Sequence, residues 1–139
     1  MSAATAVVAD TQILIWYVID PDRLSAPATE ALEAATATDA PIYVSAYSLV
    51  ELIYAVERAS NPFTEDDRQA ILSELALDAS PFEVVPVTPE VANRVAGVPR
   101  AVNPDPGDRI IIATAELLGV PIVSSDGRMP AMTSTQIIW

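Results

Sequence analysis

Asp105–Asp126 reads DPGDRIIIATAELLGVPIVSSD, a helix-to-strand unit with an acid at each end. Pro106 suits a first helical position, where its missing N–H costs nothing. The apolar run that follows predicts a helix from Pro106 to Leu118, with Gly119 as its C-terminal stop. PIVSS (Pro121–Ser125) then reads as a strand that ends at Asp126 and Gly127. A buried strand ending at an acid places that acid on the rim of the sheet. The fold therefore depends on whether other strands end the same way.

The start of the chain repeats the pattern. TAVVA (Thr5–Ala9) is short, apolar and partly β-branched, as in a strand buried on both faces, and Asp10 follows directly. TQILIWYV (Thr11–Val18) reads as a helix, DPDRLS as a turn, and the alanine-rich Pro27–Thr36 as a second helix. PIYVS (Pro41–Ser45) is strand-like. A strong helix follows over Tyr47–Ala59, with Leu49, Leu52, Ile53 and Val56 on one face. Thr64 caps the next helix, whose stripe is Ile71, Leu72 and Leu75. FEVVPV (Phe82–Val87) is a strand. Thr88 and Pro89 open a helix that stops near Gly97, and Val98–Pro104 is a loop. Gln136–Trp139 is a last short strand. Strands alternating with helices predict an α/β fold with a mostly parallel central sheet flanked by helices. No repeat or linker divides residues 1–139, which predicts a single domain.

Composition narrows the chemistry. The 139 residues include 19 Asp and Glu against 7 basic residues, a formal net charge of −12, and 51% are hydrophobic. This is too apolar for a disordered acidic tail. With no Cys and no His, disulfides, thiolate nucleophiles, Cys/His zinc sites and histidine acid–base chemistry are excluded. Every basic residue is Arg, which removes Schiff-base lysines and the lysine of a phosphate-binding loop. The longest strictly apolar run, Ile13–Ile19, is far short of the ~20 residues that span a bilayer. The N-terminus lacks the basic start of a secretory signal, so a cytoplasmic protein without membrane contact is expected.

Carboxylates remain, and four stand out by their flanks. Asp10 and Asp126 end strands, and in parallel sheets ligands bind beyond those carboxyl ends. Glu51 interrupts the apolar SLVELIYAV, and Asp108 lies in the first turn of its helix. Each also has a structural reading. Asp10 suits a helix cap and Asp126 a turn. Ser48 with Glu51, and Asp105 with Asp108, have capping-box spacing. Taken together, four acids at one edge would repel one another and raise each other's pKa unless a cation joined them. A hard divalent ion, Mg²⁺ or Mn²⁺, suits an all-oxygen donor set.

The segments VVADTQILIWYV, DPDRLS, VSAYSLVEL and DPGDRIIIATAELLGVPIVSSD, in that order, resemble the PIN-domain ribonucleases, and among them the VapC-type toxins of bacterial toxin–antitoxin pairs. The resemblance covers nearly the whole chain. It maps the family's metal-binding and catalytic acids onto Asp10, Glu51, Asp108 and Asp126, and its hydroxyl residues onto Thr11 and Ser124, which would hold carboxylate rotamers. The sequence departs from the family at Gln12, where His is frequent, at Gly107, where a bulky apolar residue is usual, and at Thr114 and Ser124. None of these removes a carboxylate.

The resemblance implies Mg²⁺-dependent endonucleolytic cleavage of RNA, a cognate antitoxin as protein partner, and a homodimer within a larger toxin–antitoxin assembly. Leu49, Ile53 and Trp16 are candidates for the dimer contact, and Trp16 and Tyr54 suit core or subunit interface. Asp105 suits a helix cap. Arg109 is expected to pair with a site acid, to reach a phosphate or to lie in solvent, and Arg128 to contact a phosphate or lie in solvent. The net charge opposes long-range attraction of RNA and favours a basic inhibitor. Two other readings stand beside this one: an acidic interaction module whose carboxylates are only caps, and a DNA-directed nuclease with the same acids. A receiver or aspartate-based phosphatase would need a Lys that the chain lacks.

Overall fold

The computed structural model describes residues 5–58, 60 and 62–139. Among the described residues, five strands form one sheet: β1 (Val7–Ala9), β2 (Ile42–Ser45), β3 (Phe82–Val85), β4 (Ile122–Val123) and β5 (Ile137–Ile138). All neighbouring pairs are parallel, in the order β3-β2-β1-β4-β5. Six α-helices of the described residues pack around the sheet: α1 (Thr11–Ile19), α2 (Ala26–Ala37), α3 (Ala46–Glu57), α4 (Glu65–Leu75), α5 (Pro89–Arg94) and α6 (Pro106–Leu118). The expected α/β architecture is present, and the sheet is wholly parallel.

Strand order positions the site. The chain steps outward from β1 to β2 to β3, then crosses back to lay β4 on the other side of β1. Connections leave β1 and β4 in opposite directions, and a crevice opens between such strands at their carboxyl ends. Val8 lies opposite Tyr43 on one side and Ile122 on the other, while Ala9 faces Val123. Asp10 and Ser124 therefore emerge side by side.

Alternation along β1 divides the core into two layers. Val7 and Ala9 pack with Ile13, Leu14, Leu32, Ile42, Leu52 and Ile71. Val8 faces the other way, onto Val91, Ile111, Ile112, Ile122 and Met129. The nine residues of α1 are too few to hold a helix in water alone. Ile13 and Leu14 are fully buried, and each such burial stabilises by ~1.5–3 kcal/mol. That packing fixes the helix start, and with it Asp10 and Thr11.

Several boundaries shift for local reasons. Ser25 caps α2, which therefore starts at Ala26. β3 stops at Val85 because Pro86 has no N–H for the ladder. Helix α5 tightens into a 3₁₀ turn over Val95–Gly97. Another 3₁₀ turn, Met129–Ala131, was not expected. Helix α3 ends at Glu57, and residue 59 of the expected helix lies outside the described residues. Gly119 ends α6 with φ 69°, the left-handed conformation glycine adopts without strain. Among the described residues no helix is long and apolar enough to cross a membrane.

Candidate active site

Asp10 ends β1, its backbone N–H bound to the Val123 carbonyl at 3.0 Å. Its side chain has two fixed partners. Oδ1 accepts from the Thr11 N–H at 2.8 Å, which caps α1, and Oδ2 accepts from the Ser124 hydroxyl at 2.7 Å. The side chain is only 8% exposed. Burial pushes its pKa up to about 7, against the Ser124 hydrogen bond and with help from the Asp108 and Glu51 charges. Cap and site ligand are thus compatible roles for the same carboxylate.

Glu51 settles the capping-box question. The cap of α3 is Ser45, whose hydroxyl accepts from the Tyr47 N–H at 3.1 Å. Ser48 instead faces Thr11, with its hydroxyl 2.7 Å from Oγ1, and Thr11 donates to Glu51 Oε1 at 2.5 Å. Glu51 is therefore free of its helix terminus and held from α1. Burial raises its pKa, the Thr11 hydrogen bond and Arg58 oppose that, and Asp105 and Asp108 add to it.

The start of α6 divides its two acids as its sequence suggests. Asp105 is the cap and accepts from the N–H groups of Gly107 and Asp108 at 2.8 and 3.3 Å. Asp108 does not complete a capping box. It points into the crevice, where the Asn103 amide donates to its Oδ2 at 2.6 Å. Burial raises the Asp108 pKa, Asn103 lowers it, and Asp105 and Asp126 raise it further. Asp126 has the opposite shift because Arg128 binds it, with Nη2 2.8 Å from Oδ2 and Nε 3.1 Å from Oδ1. The same guanidinium lies 3.6 Å from Asp108.

A cleft of about 420 Å³ collects these groups: Asp10, Glu51, Asp108 and Asp126, with Arg58 and Arg128 on its walls. A larger hollow of about 640 Å³, bounded by Tyr17, Leu24 and Leu32, holds none of the sheet-edge acids. Convergent charge, rather than volume, marks the site.

Arg109 corrects one expectation. It neither pairs with a site acid nor lies free in solvent. Its guanidinium donates to the Val95 and Val98 carbonyls at 3.0–3.2 Å and ties the 3₁₀ turn to α6. Two residues tied to the cleft were not singled out in the sequence: Arg58 on its wall and Asn103 behind Asp108. Asn103 carries the more specific contact. It is 1% exposed, binds Asp108, and accepts from the Asp105 N–H at 3.0 Å.

The donor set is oxygen only, which fits a hard divalent cation better than zinc or copper. Asp10 supplies a second argument. Burial beside two other acids raises the Asp10 pKa to about 7, and an approaching cation favours its charged form. Among the described residues, no three acids close on one point as in a formed metal centre. Each is turned to a partner of its own chain: Ser124, Thr11, Asn103 or Arg128.

A wholly parallel α/β sheet with acids gathered at its β1/β4 crevice defines the class, and the chain belongs to the PIN domain family, which it matches over residues 7–133. Within that family it is similar to Ribonuclease VapC22 of Mycobacterium tuberculosis (strain ATCC 25618 / H37Rv). The two are 32% identical over 125 residues, 90% of each chain. Among solved structures it resembles VapBC2 from Rickettsia felis bound to a promoter DNA fragment. There the TM-score is 0.69 at 14% identity, over 95% of this chain and 96% of the other. VapBC-5 from Mycobacterium tuberculosis gives 0.61 at 22% identity, over 96% and 98%. At these identities the structural likeness concerns the fold.

Proposed function

We propose that this chain is a divalent-metal-dependent endoribonuclease and the toxin of a toxin–antitoxin pair. One observation carries the reading. Acids from four separate segments line one cleft at the carboxyl edge of the sheet, in a chain 32% identical to a ribonuclease over 90% of its length.

Asp10, Glu51, Asp108 and Asp126 would hold Mg²⁺ or Mn²⁺, directly or through water. Bound there, the cation supplies an acidified water and offsets charge at the scissile phosphate. Glu51 would orient the attacking water and take its proton, with its carboxylate held in place by Thr11. Thr11 and Ser124 keep the Glu51 and Asp10 carboxylates in place. Arg128 swings from Asp126 to a phosphate oxygen of the RNA. Water attacks phosphorus, the bond to the 3′-oxygen breaks and that oxygen takes a proton from solvent, leaving a 5′-phosphate and a 3′-hydroxyl.

The net charge of −12 favours a basic antitoxin segment that offers an Arg to the acidic cleft. For a homodimer, Val50, Ile53 and Tyr54 on α3 are the exposed apolar side chains at 42, 43 and 60%. Trp16 and Leu49 instead pack against the core, and the Trp16 and Trp139 rings lie 5.7 Å apart.

The test is incubation of the purified protein with total RNA in Mg²⁺, beside the Asp10→Asn variant, with cleavage ends mapped. Cleavage by the parent alone, abolished by EDTA, is the expected result. Equal cleavage by the variant, or in excess EDTA, overturns the proposal. No cleavage by either and no thermal response to Mn²⁺ would leave the interaction-module reading. Cleavage of DNA in place of RNA would leave the DNA-directed one.

A further inference from the structure

Gly107 is the second residue of α6, and it is buried. Its backbone does not require glycine. Among the described residues Gly119 is the glycine with a positive φ, and Gly107 has ordinary helical geometry. Alanine is preferred to glycine within a helix, so local propensity argues against glycine here. What the position does require is space. A Cβ built on Gly107 would fall 2.8 Å from Glu51 Cδ, closer still to Glu51 Oε2, and 3.1 Å from the Tyr47 ring. The Glu51 carboxylate therefore rests directly on the first turn of α6. Its other oxygen, Oε1, is held by the Thr11 hydroxyl.

We propose that Gly107 is a positioning residue for Glu51: the missing side chain is the seat that lets this carboxylate lie beside Asp108 while still bonded to Thr11. The Glu51 carboxylate ends a flexible side chain, so a methyl group at 107 displaces it more readily than it displaces the helix. The closest contacts of a substitution fall on the Glu51 carboxylate, ahead of the Tyr47 ring. The link to catalysis rests on the nuclease reading; the steric seat does not.

A double-mutant cycle tests the seat on the full chain, using the parent, Gly107→Ala, Glu51→Ala and the double variant. Two readouts are taken: the melting temperature in EDTA, and the Mn²⁺ concentration that gives half of the metal-induced stabilisation. Gly107→Ala alone is expected to raise that concentration at least tenfold. In the Glu51→Ala background the same substitution is expected to leave it unchanged and to lower the metal-free melting temperature less than in the parent, the Tyr47 ring at 3.1 Å being the neighbour that remains. An identical response to Gly107→Ala in both backgrounds overturns the proposal. If the parent shows no response to Mn²⁺, the metal-dependent reading fails. The metal-free melting temperatures then decide the seat alone: non-additivity supports it, and additivity overturns it.

Discussion

Ser124 donates its hydroxyl to Asp10 Oδ2 at 2.7 Å, joining residues 114 positions apart at the ends of β4 and β1. The bond holds the rotamer of the most buried acid in the cleft and favours its charged form. Ser124→Ala is expected to weaken Mn²⁺ binding by about 10–100-fold, the usual range when a hydrogen bond to a ligating group is removed. Ser124→Thr keeps the hydroxyl and should stay close to the parent. A thermal-shift titration with Mn²⁺ distinguishes them, and equal affinity in all three proteins would dismiss the role.

Metal-free stability should fall as pH rises. Asp10 has a pKa of about 7 in the fold against an ordinary 3.8. Between those values the folded state keeps a proton that the unfolded state has lost, so the slope of stability with pH is negative there. Glu51 and Asp108, also raised, act in the same direction. Asp126 is lowered, so its contribution is lost only in stronger acid, as pH falls through its depressed pKa. The expected difference between pH 5 and pH 8 is on the order of a few kcal/mol. Melting in EDTA should therefore be higher at pH 5, and Asp10→Asn should flatten the dependence. A flat profile for the parent would contradict the burial argument.

The sheet edge was legible in the sequence because short apolar runs end abruptly in acids at Asp10 and Asp126. Each acid alone also suits a cap or a turn, and only taken with Glu51 and Asp108 do they point to one crevice. Glu51 was ambiguous, since its spacing from Ser48 also fits a capping box. Ser45, three residues earlier, takes the cap, and only the fold reveals that Thr11 faces Glu51. Arg109 misled because adjacency in sequence suggested pairing with Asp108. On a helix the next residue points about 100° away, here toward the carbonyls at 95 and 98. Asn103 was illegible because its role depends on the path of an irregular loop, which no periodicity encodes.

Asn103 has two tasks that substitutions can separate. Its amide donates to Asp108, and its oxygen accepts from the Asp105 N–H. Asn103→Ala removes both and should cost about 1–3 kcal/mol for the polar groups left unpaired. Asn103→Asp keeps the acceptor but sets a second carboxylate against Asp108. That variant should be destabilised at pH 7.5 and recover toward pH 5, whereas the alanine variant should show no such recovery. Chemical denaturation at the two pH values is the measurement, and parallel losses in both variants would exclude the charge argument.

Arg128 yields a prediction of opposite signs. It lies 2.8 Å from Asp126 and 3.6 Å from Asp108, so in the metal-free protein it neutralises two of the acids that a cation would need. It is also more than half exposed, so the contact is weak and easily exchanged. Arg128→Gln removes this internal competitor, and the Mn²⁺ concentration for half-stabilisation should fall a few-fold. The same change removes a charge-assisted contact to phosphate, so kcat/KM for RNA should drop by about tenfold or more, mainly through KM. A residue that only tidied the surface would move neither quantity, and one that helped build the metal site would weaken both. Tighter metal with poorer RNA use is the signature of an arginine that gives up Asp126 for the substrate. Weaker metal binding in the variant would sink that role.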